Sequence, residues 1–161
     1  MNGMTIDISE VMEGLDRTDK QLEKSAAKGM ALAGMHLLYL AITKQPTAPL
    51  DEGTLRGSGS VHVDNMPTGT AADLGLPTKR NDVCDGQPMA SPGSKVGPGV
   101  IVMATGFNTP YATHLHENPD FEFVEPGSGG KFLEEKLFGN APDFKAIAAK
   151  AIEEGLSHGS S

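Results

Sequence analysis

Thr109-Pro110-Tyr111-Ala112-Thr113-His114-Leu115-His116-Glu117 is the stretch on which the fold turns. It follows a short apolar run, Val100-Ile101-Val102-Met103-Ala104, that reads as a buried strand, and it precedes an aromatic pair, Phe121 and Phe123. Read as a strand itself, it puts His114 and His116 on one face, because side chains two apart in a strand share a face. Two architectures then compete. In a small β-barrel the histidine pair begins a metal site; in an α+β subunit the same strand docks against partner subunits.

The metal reading has a motif to lean on. His114-x-His116, with Asp120 four residues on and Gly127 beyond, sits near the first motif of cupin barrels: Gly, five residues, His-x-His, three or four residues, Glu, six residues, Gly. Here Asp120 stands where the Glu belongs, and Gly106 comes two residues early. A cupin needs a second motif with a further His, and downstream the chain offers His158 in its tail. It also needs many short strands, whereas this chain closes in helical patterns. No other constellation carries chemistry. Around Ser58 the Gly-x-Ser-x-Gly elbow is absent, and no phosphate loop, Cys pair or nucleophile with an oriented base is found. The expectation is a binding protein with no metal, no cofactor and no catalytic residues.

Composition narrows the class. The 161 residues suit one domain, 1–161, with a core of aliphatic side chains and Met, since aromatics make up 5% and Trp is absent. A net charge of −8 with scattered basic residues argues against phosphate-based nucleic-acid binding. It remains compatible with a wall that DNA slides past. A single cysteine, Cys84 between Asp82 and Asp85, excludes an internal disulfide and reads as a quiet loop thiol in a reducing cytoplasm. With no apolar run near ~20 residues and no basic-then-apolar leader, the sequence predicts a soluble protein made in the cytoplasm.

Outward from the central stretch, helical spacing dominates both ends. Apolar residues from Ile8 to Ala41 recur near every 3.6 positions, interrupted at Gly14 and Arg17-Thr18-Asp19. Ser9 caps a first turn, and Thr18 with Gln21 resembles a capping box, so the main helix is expected from about Thr18 to Thr43, ended by Pro46 and Pro49. Gly29, Ala33 and Gly34 thin one side of it, either by chance or for close packing; His36 lies beside its apolar stripe. Ser60-Val61-His62-Val63 alternates as a strand would. Residues 65–97, rich in Gly and Pro, read as one extended loop, and the chain rejoins the sheet over 98–105. After a flexible break at 126–130, a short helix is expected over Lys131–Phe138, closed by Gly139-Asn140. A last helix opens at Pro142 and ends at Gly155, with 157–161 a flexible tail. The fold class is therefore α+β: a long N-terminal helix on a small, mainly antiparallel sheet, C-terminal helices, and one long Gly/Pro-rich loop.

Three segments in this order resemble a known family. Pro49-Leu50-Asp51-Glu52-Gly53-Thr54-Leu55-Arg56-Gly57-Ser58 is similar to the Pro-x-Asp-x-Gly-x-Leu-Arg-x-Ser signature that follows the long helix in a family of phage neck proteins. Tyr111-Ala112-Thr113-His114-Leu115-His116-Glu117 looks like that family's Tyr-Ala-x-x-x-His/Glu-Glu/Phe strand, and Lys131-Phe132-Leu133-Glu134 like its Lys-Phe-Leu lead into the C-terminal helices. The family comprises head–tail connector, minor capsid and tail-completion proteins of long-tailed phages, including relatives of the lambda minor tail protein Z. The match covers about Ser25 to Leu156 except the middle loop. The resemblance implies a virion protein, made in the host bacterial cytoplasm, that forms a sixfold or twelvefold ring at the head–tail junction. Its neighbours would be portal or adaptor proteins and tail-tube or terminator proteins, with DNA passing through unbound and no membrane involved. A tail terminator setting tail length stays open as an alternative within the virion. Interface candidates are Arg56, Tyr111, His114, His116, Glu117, Phe121 and Phe123. Of these, Arg56 reads equally as an anchor between the first strand and a carboxylate such as Glu117 or Asp51 and as an exposed arginine after a turn, with Arg56→Ala expected to weaken assembly more than folding; Tyr111 is expected in the core.

Overall fold

The computed structural model describes residues 9–50, 53–76, 93 and 99–158, with backbone alone for 9–16 and 18. The architecture is α+β, as the sequence implies: a long N-terminal helix on a three-stranded antiparallel sheet, followed by C-terminal helices. Helix α1 runs unbroken over Ser9–Thr43, 35 residues and about 52 Å at 1.5 Å per residue. The expected interruption does not occur. One Gly costs a helix only about 1 kcal/mol, and Arg17, Asp19 and Lys20 lie on its exposed side, so nothing forces a break. By length and composition Asp19–Thr43 is apolar enough to cross a membrane, more than the sequence reading allowed. Here it is the central core helix, with Ala33, Leu37, Leu38, Ala41 and Ile42 buried.

The thinned side of α1 is where other elements come closest. At Gly29 a Cβ would stand 2.9 Å from Ala148 Cα, on the last helix, α5 (Ala141–His158). At Gly34 it would run into Val61 and Met103 of the sheet. Gly155 does not end α5, contrary to expectation. It lies inside the helix, where a Cβ would collide with the Ser25 side chain, and its carbonyl accepts from Gln21 Nε2 at 3.1 Å. Ser157 and His158 are consequently helical rather than tail; 159–161 lie outside the described residues.

The sheet has the order β2-β1-β3, with β1 Ser60–Val63 in the centre, β2 Met66–Thr70 and β3 Met103–Gly106. All four residues of β1 are buried, so the expected alternation reflects two covered faces rather than one. Asp64 and Asn65 join β1 to β2 with φ of 50° and 64°, a two-residue turn whose left-handed residues match the twist of a hairpin. The expected loop over 65–97 therefore begins as structure: β2, then a 3₁₀ turn at Ala71–Leu74 in which Thr70 N–H donates to Asp73 Oδ2 at 2.7 Å. Most of the remainder, with Cys84, lies outside the described residues. Strand β3 starts three residues after the apolar run suggests, leaving Val100 55% exposed.

The largest correction concerns the central stretch, which is not a strand. Ala112–Glu117 forms helix α3, opened by a turn in which Ala112 N–H reaches Thr109 O at 3.1 Å and Leu115 N–H reaches Tyr111 O at 3.0 Å. Pro110 sits just ahead of it, a position where its missing N–H costs nothing. Packing decides the period: Ala112 and Leu115, three apart, face the core together, as a helix allows and a strand does not. The following helix, α4, spans Glu134–Gly139, later than the expected Lys131 start, because Lys131 adopts φ 55° and turns the chain.

Candidate assembly interface

Arg56 is set by α2, a single turn at Thr54–Gly57 entered through left-handed Gly53. The residue is 7% exposed. Its Nε donates to Ala48 O at 2.6 Å and its Nη2 to Glu125 Oε2 at 2.8 Å. The same carboxylate oxygen accepts from Leu50 N–H at 2.9 Å and from Ser128 Oγ at 2.8 Å. Burial pushes the guanidinium pKa down and Glu125 opposes the shift; the group keeps its charge, as arginines in proteins do. Among the described residues the partner is thus Glu125 and not Glu117, which is engaged elsewhere; Asp51 lies outside the described residues. Through Glu125 this pin fastens the start of 126–130, expected to be a flexible break, onto the chain after α1. Thr47 N–H reaches Gly127 O at 2.8 Å in the same strap.

Helical geometry separates the two histidines, since residues two apart on a helix stand about 200° apart. The His114 ring meets Phe121 edge-on at 6.2 Å and Asn118 Nδ2 at 3.2 Å. His116 turns the other way, 5.0 Å from the Phe132 ring. Its Nε2 accepts from Glu134 N–H at 3.3 Å, which assigns the ring proton to Nδ1, facing Glu117 Oε1 at 2.9 Å. Lys131 Nζ bridges Glu117 at 2.5 Å and Glu134 at 2.8 Å. The Lys131 hydrogen bond, then that of His116, holds the Glu117 carboxyl below its ordinary pKa; the two carboxylates raise that of Lys131. His116, Glu117 and Glu134 offer ligand atoms within 4.8 Å of one another, and the Lys131 ammonium is already the cation among the two carboxylates. Asp120 takes no part in this group.

On the other side of α3 an apolar surface opens. Tyr111, expected in the core, is 43% exposed, Phe121 is 46% exposed and Val124 98%. Phe123 is half-buried with its ring 5.1 Å from that of Phe121. Together with Leu50 and Leu115 they line a groove of about 700 Å³, which Glu125 also borders. Of the residues singled out in sequence, Tyr111, Phe121 and Phe123 come together there, with His114 against Phe121. His116 and Glu117 belong to the Lys131 cluster, and Arg56 reaches the groove only through Glu125. Sequence reading missed Val124 and Leu50, which extend its apolar runs, and Glu125, which nothing local marks.

Comparison with protein-family models, curated proteins and solved structures finds no match for this chain.

Proposed function

We propose that this chain is a structural subunit of the neck of a long-tailed phage, part of a ring that completes the tail or joins it to the DNA-filled head. One observation carries the reading. The three stretches that resemble the neck family lie far apart in sequence, yet they pack on one another: Leu55, Ala112 and Phe132 share a cluster with Ala48, and Leu115 and Leu133 close around it. Residues that mark a family by holding one structural centre together are expected to meet in this way, whereas chance matches are not. The net charge of −8 fits a channel that lets DNA pass, since fixed negative charge repels phosphates within a Debye length of about 8–10 Å. The apolar rim of Tyr111, Phe121, Phe123 and Val124 is the surface offered to a neighbouring neck protein, because exposed patches of this kind mark contacts.

The test is complementation in vitro. Heads and tails from a phage lacking this protein, mixed with the purified chain, are expected to join into infectious particles; unchanged titre would sink the proposal. A metal-dependent, cupin-like reading retains one favourable observation, the His116, Glu117 and Glu134 grouping. Against it, His114 and His116 diverge and the described sheet has three strands. Stoichiometric transition metal in the purified protein would revive it.

A further inference from the structure

We propose that copies of this chain join by strand addition, residues 4–8 of one copy lying along the edge of β3 in the next, an edge that no other strand among the described residues covers. The sheet order β2-β1-β3 leaves two edges. That of β2 is blunted by Pro67, which has no N–H, and by an irregular register opposite Val61 and His62. The β3 edge, Met103-Ala104-Thr105-Gly106, carries neither proline nor charge. Asp64 N–H donates to Val102 O at 2.8 Å, which fixes the phase of the β1–β3 ladder. His62 with Ala104 and Ser60 with Gly106 are then the hydrogen-bonded pairs, so the backbone N–H and C=O of Met103 and Thr105 point outward. Among the described residues no backbone group meets them.

A groove of about 500 Å³ follows this edge. Five consecutive residues, 103–107, line it. Successive side chains of a strand alternate between faces, so a groove touching all five lies along the edge rather than over a face. Leu37, Phe132, Leu133 and Leu137 supply its apolar wall. Outward main-chain groups beside an apolar wall are what an extended segment needs: hydrogen bonds for its backbone and a place for every second side chain.

The chain itself contains such a segment. Met4-Thr5-Ile6-Asp7-Ile8 alternates apolar and polar residues with the period of a strand, directly ahead of α1. It cannot serve its own β3. Gly34 packs against Val61 and Met103 and marks where α1 crosses the sheet; Ser9, the helix start, is 25 residues away, about 37 Å along the axis. Five extended residues reach about 17 Å at most, under half that distance. That segment therefore comes to this groove from a second copy. Because segment and groove are different surfaces, each copy gives one and receives one, which closes into a ring or grows into a filament. Nothing in this depends on the neck assignment, which micrographs of phage test separately.

Light scattering on the full chain reads the outcome. The wild-type chain is expected to self-associate at micromolar concentration, and Ile6→Asp to weaken association by about thirtyfold or more, since a charge replaces a buried aliphatic side chain. A labelled peptide of residues 3–10 is expected to bind the Ile6→Asp chain saturably, and the same peptide carrying Ile6→Asp to show no binding. A monomeric wild type would overturn the proposal, as would a peptide that fails to bind. So would association that survives Ile6→Asp and is lost with Val124→Asp, which would place the junction at the apolar rim.

Discussion

Arg56 shows how one side chain changes role once its surroundings are known. In sequence it is an arginine after a turn, equally suited to an interface; in the fold it is buried, and its charge is met within the chain by Glu125. Arg56→Ala, expected from sequence to weaken assembly more than folding, is therefore expected to cost folding stability as well. Removing it strands a partly exposed carboxylate and frees Ala48 O, so urea unfolding is expected to show a loss of about 2–4 kcal/mol. Arg56→Lys should recover only part of this, because an ammonium cannot reach both acceptors as the planar fork does. The Lys131 bridge makes a prediction in pH. Glu117 has a lowered folded pKa, so its contribution is present above the ordinary carboxylate pKa and lost as pH falls through the folded value. Lys131 has a raised one, so its contribution is present below the ordinary lysine pKa and lost as pH rises through the folded value. The Tm difference between wild type and Lys131→Met is expected to be widest between about pH 5 and pH 10 and to shrink on the acid side. A difference that does not vary with pH would refute the bridge.

Elements with enough turns to display a period were legible in the sequence, and short ones were not. Helix α1 offers many apolar positions and α5 offers Phe144, Ile147, Ala148 and Ala151, so both announce themselves. Helix α3 has six residues, in which Ala112 and Leu115 vote for one period and His114 and His116 for another. Only burial breaks the tie. The β1–β2 hairpin was hidden by composition: Pro67 and Gly69 read as loop, although Asp64-Asn65 ahead of them suits a tight turn. The α1–α5 crossing permits a test at this scale. Gly29→Ala would gain about 1 kcal/mol of helix propensity. Its Cβ, however, would meet Ala148 Cα and O at 2.9 Å, backbone that cannot rotate aside. Overpacking of this sort costs about 1–3 kcal/mol, so a net loss in the unfolding midpoint is expected.

For the whole molecule, the order of helix, sheet and helices was readable, but the apolar surface beside α3 was readable only in part. Phe121 and Phe123 stand out as aromatics among polar neighbours, whereas Val124 and Glu125 acquire meaning only when 125–129 is strapped to the chain after α1, a contact across about seventy positions. Val124 is 98% exposed, so Val124→Asp is expected to leave the unfolding free energy within about 0.5 kcal/mol of wild type while lowering head–tail joining several-fold. An unfolded variant, or one that joins normally, would remove the rim from the account. The neck assignment itself is tested most directly by negative-stain microscopy of lysate from a phage with an early stop codon in this gene. The account predicts DNA-filled heads lying apart from tails of normal length. Tails of irregular length would make the chain a terminator, and intact infectious virions would contradict the assignment altogether.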